Sequence, residues 1–207
     1  ALGYATSGGV GTLTSSADFD FAFGSTMAAL AQVPGGIVAN VPDVTALAYL
    51  NTIPYDAVPL DAATADMLNG GFAAYNGGLA AAQAFGLISA SEVDARTIVY
   101  AAGQNAMLME DEYLTDLSAL GLPSWRQTTM NDKIVLPVIG LIGTAVGGNP
   151  TQINGVSVPL ADNIVLSSDE IAEVRARVLE YNATIETLTA QQGLSLIHIS
   201  EPTRLGM

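Results

Sequence analysis

The chain has 207 residues, half of them hydrophobic, with 20 carboxylates against 6 lysines and arginines for a net charge of −14. So few cations exclude a groove that neutralises a nucleic-acid backbone and disfavour an anionic membrane surface, and a mean hydropathy of +0.40 excludes a disordered chain. With no cysteine, disulfides, thiolate metal sites and thiol nucleophiles are ruled out.

Residues 1–16 are rich in Gly, Ser and Thr and read as an interior loop, with neither the basic nor the apolar region of a secretory leader. Asp18 is expected to cap a helix whose apolar face is Phe19, Phe23, Met27 and Leu30. Pro34-Gly35-Gly36 stops it, and residues 36–41 follow as a short apolar strand expected to be buried on both faces, as in a parallel sheet. Loops that leave such strands at their C-terminal ends are where open α/β sheets bind ligands. Asn40, Asp43, Asn51 and Thr52 lie on that loop and are the candidate substrate-binding residues; as turn and cap residues they also have a purely structural reading.

Asp61 is placed to cap a helix in the Ala- and Gly-rich stretch 61–86, although Gly70-Gly71 and Gly77-Gly78 weaken it. Residues 96–100 and 106–109 flank Gly103-Gln104-Asn105 and predict a hairpin. Glu110-Asp111-Glu112 reads as a solvated acidic turn, residues 134–139 as a strand, and Asn154-Gly155 as a hairpin-type turn. The clearest element opens at Ser167, which forms a capping box with Glu170. Ile171, Val174, Val178, Tyr181, Ile185 and Leu188 then make one apolar stripe, and Gly193 suits the position just past the helix end.

Few groups offer chemistry. Asn131-Asp132 lacks a glycine two residues ahead and reads as a turn or cap. Asp18 and Asp20 lack a calcium-loop spacing around them. Gly8-Gly9-x-Gly11 follows no strand and precedes no lysine, so it is not a phosphate loop. Trp125 beside Arg126 reads as a packed aromatic. No serine sits in a Gly-x-Ser-x-Gly elbow. From these residues alone the chain is an acidic α/β protein without a legible reaction, and an acidic binding or surface module is a competing expectation.

The run at residues 194–204, Leu-Ser-Leu-Ile-His-Ile-Ser-Glu-Pro-Thr-Arg, resembles a translated sequencing adapter. Residues 194–207 are therefore expected to be an artefact appended to a domain at 1–193. The only histidine, His198, lies in that run between Ser195 and Ser200 and is not read as catalytic.

Several blocks taken in order resemble the SGNH/GDSL hydrolases of a secreted branch common in Bacteroidota. They are Leu2-Gly3-Tyr4-Ala5-Thr6-Ser7-Gly8-Gly9, Asn40-Val41-Pro42-Asp43-Val44-Thr45, Asn51-Thr52-Ile53-Pro54-Tyr55, Gly103-Gln104-Asn105, Leu114-Thr115-Asp116-Leu117, Arg126-Gln127-Thr128, Pro159-Leu160-Ala161-Asp162 and Glu180-Tyr181-Asn182. The resemblance implies an incomplete flavodoxin-like three-layer α/β/α domain with a mixed α+β insertion at about 55–165. It implies a serine-dependent esterase or lipase acting on a small-molecule, lipid or glycan ester, secreted or held as an outer-membrane or periplasmic lipoprotein, with no cofactor, metal, nucleic-acid partner or transmembrane segment. The family's Gly-Asp-Ser, glycine and Gly-x-Asn-Asp blocks would precede this sequence and its Asp-x-x-His block would follow it. No catalytic residue is therefore assigned, and the chain is expected to be inactive and to fold poorly by itself.

Overall fold

The computed structural model describes residues 1–199; Ser200 and the remainder of the adapter-like run lie outside the described residues. The architecture is mixed α and β with small sheets, each of two strands. Helix α1 (Leu2–Thr6) replaces the expected loop. Nothing in its side chains caps it; it forms because Ala5 is fully buried in the core, so tertiary packing rather than local propensity holds it.

Helix α2 (Ser16–Ala29) starts earlier than expected. Ser15 is its cap, accepting from the Asp18 amide at 3.0 Å and donating to the Asp18 carboxylate at 2.6 Å, so Asp18 is the third residue of the first turn. Its expected face is largely real. Phe19 stacks on Phe23 and on Tyr181 with ring centroids 5.6 and 4.2 Å apart, and Met27 is buried, whereas Leu30 falls at the helix end and is exposed.

Strand β1 (Ile37–Ala39) pairs only with β10 (Ser195–Ile197), in parallel. The expectation of burial on both faces fails, because Ile37 is 70% exposed. A parallel strand is buried on both sides only when helices cover both, and the helix packed against β1 is the one that ends just before β10.

After α3 (Ala48–Asn51) comes β2 (Val58–Leu60), then α4 (Ala62–Ala84) with Asp61 capping it through the Thr64 amide at 2.7 Å. Four glycines do not break this helix, because Phe72, Tyr75, Leu79 and Ala82 are buried along it. Gly78 packs closely on its neighbour: a Cβ there would lie 2.6 Å from Leu122 Cδ2 and would push that side chain aside.

Helix α5 (Ala90–Arg96) is capped by Ser89. The hairpin expected around Gly103 does not form. Side chains of α4 occupy the backbone of residues 98 and 100: Asn76 bonds both the amide and carbonyl of Ile98, and Asn69 those of Tyr100. Strand β3 (Gly103–Asn105) pairs with β2 instead, and β4 (Leu108–Glu110) pairs with β5 (Trp125–Gln127), both antiparallel.

Strand β6 (Lys133–Ile134) is cut short. Pro137 turns the expected strand at 134–139 into a 3-10 turn over Leu136–Gly140. Strands β7 (Ala145–Val146) and β8 (Asn149–Ile153) form a hairpin, and β9 (Val165–Leu166) closes onto β6. The Asn154-Gly155 turn is present, with Gly155 at φ +76°. All four antiparallel pairs thus draw their strands from residues 58–166.

Helix α6 (Ser168–Gln191) has the expected capping box: the Ser167 side chain accepts from the Glu170 amide and the Glu170 carboxylate accepts from the Ser167 amide. Its stripe is buried from Ile171 to Ile185. Gly193, at φ +64°, ends it: the Gly193 amide bonds the Ala190 carbonyl and the Leu194 amide the Thr189 carbonyl. Among the described residues no helix is long and apolar enough to cross a membrane.

Candidate functional site

The loop after β1 opens a cleft of about 390 Å³ against α6, and two of the four candidate residues line it. Asn40 accepts from the amide of Ile199, a residue of the adapter-like run, so this bond is not one that residues 1–193 supply. Asp43 accepts from the Thr45 amide at 2.8 Å and the Thr45 hydroxyl at 2.6 Å, and its other oxygen takes Arg175 Nε at 3.1 Å. Burial pushes the Asp43 carboxyl up, but the Thr45 hydrogen bonds and the Arg175 charge outweigh it and hold the group below its ordinary value. Asn182 of α6 closes the back of the cleft, bonding the Val41 amide at 2.8 Å and the Val41 carbonyl at 2.9 Å.

Asn51 and Thr52 do not line this cleft. Asn51 donates to the Thr45 and Leu47 carbonyls and accepts from Lys133 Nζ at 2.7 Å, which fastens the turn that Asp43 begins. Thr52 donates to the Ala48 carbonyl at 2.6 Å. The cleft offers a carboxylate, a guanidinium and two amides, a set suited to holding a polar ligand but without a nucleophile and base. His198 is exposed, and no hydrogen bond joins it to Ser195.

A second constellation was not legible in the sequence. The Gly8-Gly9 turn sits directly on the start of α6: a Cβ on Gly9 would lie 1.3 Å from Glu170 Oε1, and one on Gly8 2.5 Å from the Asn163 carbonyl carbon. Glu170 is 1% exposed. One of its oxygens completes the capping box, while Oε1 has no hydrogen-bond partner among the described residues. Burial first, and then the charges of Asp162 and Glu112, raise its pKa to about 7 against the Ser167 bonds that lower it.

Around it, Glu173 accepts from the Tyr113 hydroxyl at 2.8 Å and the Tyr4 hydroxyl at 3.4 Å. Burial and the nearby carboxylates push the Tyr4 phenol to about 12 and the Tyr113 phenol upward as well. Asp162 is raised by its burial and by Glu112, Asp111 and Glu110. In sequence, Gly8-Gly9 and the capping box looked like two unrelated local signals; only the fold stacks them.

Asn131-Asp132 and the acidic turn also change meaning. Arg126 is buried between Asp111, at 2.5 Å from Nε, and Asp132, which takes both terminal nitrogens at 2.7 and 2.8 Å. Asp132 further accepts from the Thr129 amide and hydroxyl and the Ser168 amide. Burial raises the Asp132 carboxyl, but the Arg126 bonds and charge overcome it and its pKa is lowered. Asp111 is therefore a buried ion-pair partner, which corrects the solvated-turn expectation, while Glu110 and Glu112 are exposed. Among the described residues no group of three or more His, Cys, Asp or Glu side chains is arranged to hold a metal ion.

No family model, curated protein or solved structure matches this chain.

Proposed function

We propose that this chain is an interior portion of a serine-dependent carboxylic ester hydrolase of the SGNH/GDSL type, carrying scaffold and cleft residues and not the acyl-transfer groups, and inactive by itself. The observation that carries this reading is that the blocks quoted for the resemblance are joined to one another by their own polar groups. Asn182 of one block holds Val41 of another by two hydrogen bonds. The Thr128 hydroxyl of a third donates to the carbonyl of Tyr55, which ends a fourth, at 2.7 Å. Gly8 of the first block packs on the carbonyls of Asp162 and Asn163. These bonds join segments as distant as Val41 and Asn182, which supports reading the blocks together.

The resemblance makes β1 a strand of a flavodoxin-like three-layer sandwich; its partner β10 lies in the adapter-like run and adds no support to that fold. In that sandwich the loop bearing Asn40 and Asp43 would flank the substrate cleft, with Asn51 fastening it.

The test is recovery of the surrounding gene. Gly-Asp-Ser and Gly-x-Asn-Asp blocks upstream and an Asp-x-x-His block downstream are expected. The complete protein should hydrolyse p-nitrophenyl esters and lose that activity when its Gly-Asp-Ser serine becomes alanine. A gene without those blocks, or ester turnover by the purified present chain, overturns the proposal. A complete binding module would give the first of these results.

A further inference from the structure

We propose that the space between α4, β2 and the β7–β8 hairpin is a binding site for a neutral aliphatic chain, the acyl or alkyl arm of an ester. The word ester rests on the function proposed above; the aliphatic chemistry rests on the cavity alone.

The cavity has a volume of about 650 Å³, within the range of small-molecule sites, roughly 300–1,000 Å³. Its floor is Val58, Phe72 and Val156, all buried. Its mouth is shaped by Met67, which is exposed, and by Pro150 of the hairpin. No ionisable side chain lines it, in a chain that carries 20 carboxylates. A charged ligand finds no counter-ion there, and burying an unpaired charge is costly. A neutral apolar chain strands no charge on entry, and the unbranched thioether of Met67 can adapt to its shape.

One part of the wall carries no side chain. Gly71 lines the cavity, and a Cβ added there meets nothing within 4 Å. A glycine inside a helix costs roughly 0.5–1 kcal/mol relative to alanine, and here no close neighbour demands it. Gly78, by contrast, lies against the Leu122 side chain. The bare position at Gly71 leaves room at the helix surface where a side chain would stand in the cavity.

The experiment is displacement of a fluorescent polyene fatty alcohol from the full chain by primary alkanols from hexanol to dodecanol. Affinity should rise about fourfold per added methylene until the cavity is filled and then level off. Gly71→Leu should weaken binding at least tenfold while leaving the thermal midpoint equal or higher, since it removes a helix glycine. Gly77→Leu, on the same helix and also in open space but outside the cavity lining, should leave binding unchanged. Absence of a chain-length dependence overturns the site, as does equal weakening by both variants or no effect of Gly71→Leu. Alkanol binding by a chain whose gene lacks the Gly-Asp-Ser block keeps the cavity and removes the esterase. The converse result removes the cavity alone.

Discussion

Glu170 supplies the sharpest test of the physical account. Its carboxyl is almost wholly buried beneath the Gly8-Gly9 turn, one oxygen is spent on the Ser167 amide and the other has no partner among the described residues. The charges that act on it, Asp162 and Glu112, are both negative, while Arg177, which lines the adjoining cleft, is paired with Glu180. The native state therefore favours the protonated form, and the pKa moves from the ordinary 4.5 to about 7. At 1.36 kcal/mol per tenfold change in proton affinity, that difference is roughly 3 kcal/mol. The native state binds the proton more tightly than the unfolded chain, so unfolding releases it. Below pH 4.5 both states are protonated and the penalty is absent; it grows as pH rises and is complete once pH passes about 7.

Glu170→Gln keeps an oxygen for the Ser167 amide and abolishes the titration. Urea unfolding of both proteins from pH 4.5 to 8.5, at constant ionic strength, isolates the effect in their difference. Other carboxylates that the fold holds below their ordinary values, Asp43 and Asp132 among them, cancel there. The variant should gain on the wild type by up to about 3 kcal/mol between the two ends of the series, with a constant offset for the buried amide. Parallel stability curves for the two proteins would refute the assignment of an uncompensated buried carboxylate.

Asp132→Ala should destabilise the chain by roughly 3 kcal/mol, because Asp111 still neutralises Arg126 but both terminal guanidinium nitrogens and the Thr129 and Ser168 donors lose their acceptor; a loss of a tenth of that in urea unfolding would show the network to be dispensable. Gly9→Ala forces a left-handed backbone on a residue with a Cβ, about 1–3 kcal/mol by itself, and displaces Glu170, so its loss should shrink in Glu170→Ala, a coupling that a double-mutant cycle reads directly. Asn76→Asp removes the donor to the Ile98 carbonyl while keeping the acceptor; a cost of about 1–3 kcal/mol is expected, and Asn76→Leu should cost more because it orphans both backbone groups.

The helical parts of this fold were legible because their signals are local. A capping box, an apolar stripe and a terminal glycine on α6 lie within 27 consecutive residues, and each appears where the pattern put it. Asp61 announced α4 for the same reason. The strands were poorly legible because almost none is stabilised by its neighbours in sequence: β2 waits for β3 across α4 and α5, and β6 waits for β9 across the β7–β8 hairpin. The residues at 96–100 looked like a strand, yet Arg96 ends α5 and the backbone of Ile98 and Tyr100 is taken by asparagines of α4. Of the four cleft candidates, Asn40 and Asp43 meet at one opening and Asn51 and Thr52 brace the backbone nearby. The Glu170 cluster was invisible because its parts, near residues 4–9, 112 and 162–173, become neighbours only in three dimensions.

Backbone satisfaction explains how so small a sheet content supports the fold. Buried amides and carbonyls must find partners, and five two-stranded ladders leave many without any. Four asparagines fill the gap in one repeated way. Asn69, Asn76, Asn105 and Asn182 each donate through the side-chain nitrogen and accept through the side-chain oxygen to the carbonyl and amide of a single residue, Tyr100, Ile98, Ala101 and Val41 respectively. Each pair imitates one rung of a sheet with a side chain in place of the second strand. Of the short side chains only asparagine offers a donor and an acceptor in that geometry; aspartate loses the donor and leucine loses both. The positions that most constrain this architecture are therefore polar, and three of them fasten extended backbone to the long helices α4 and α6. That arrangement lets a helix hold in place a segment for which no strand is at hand.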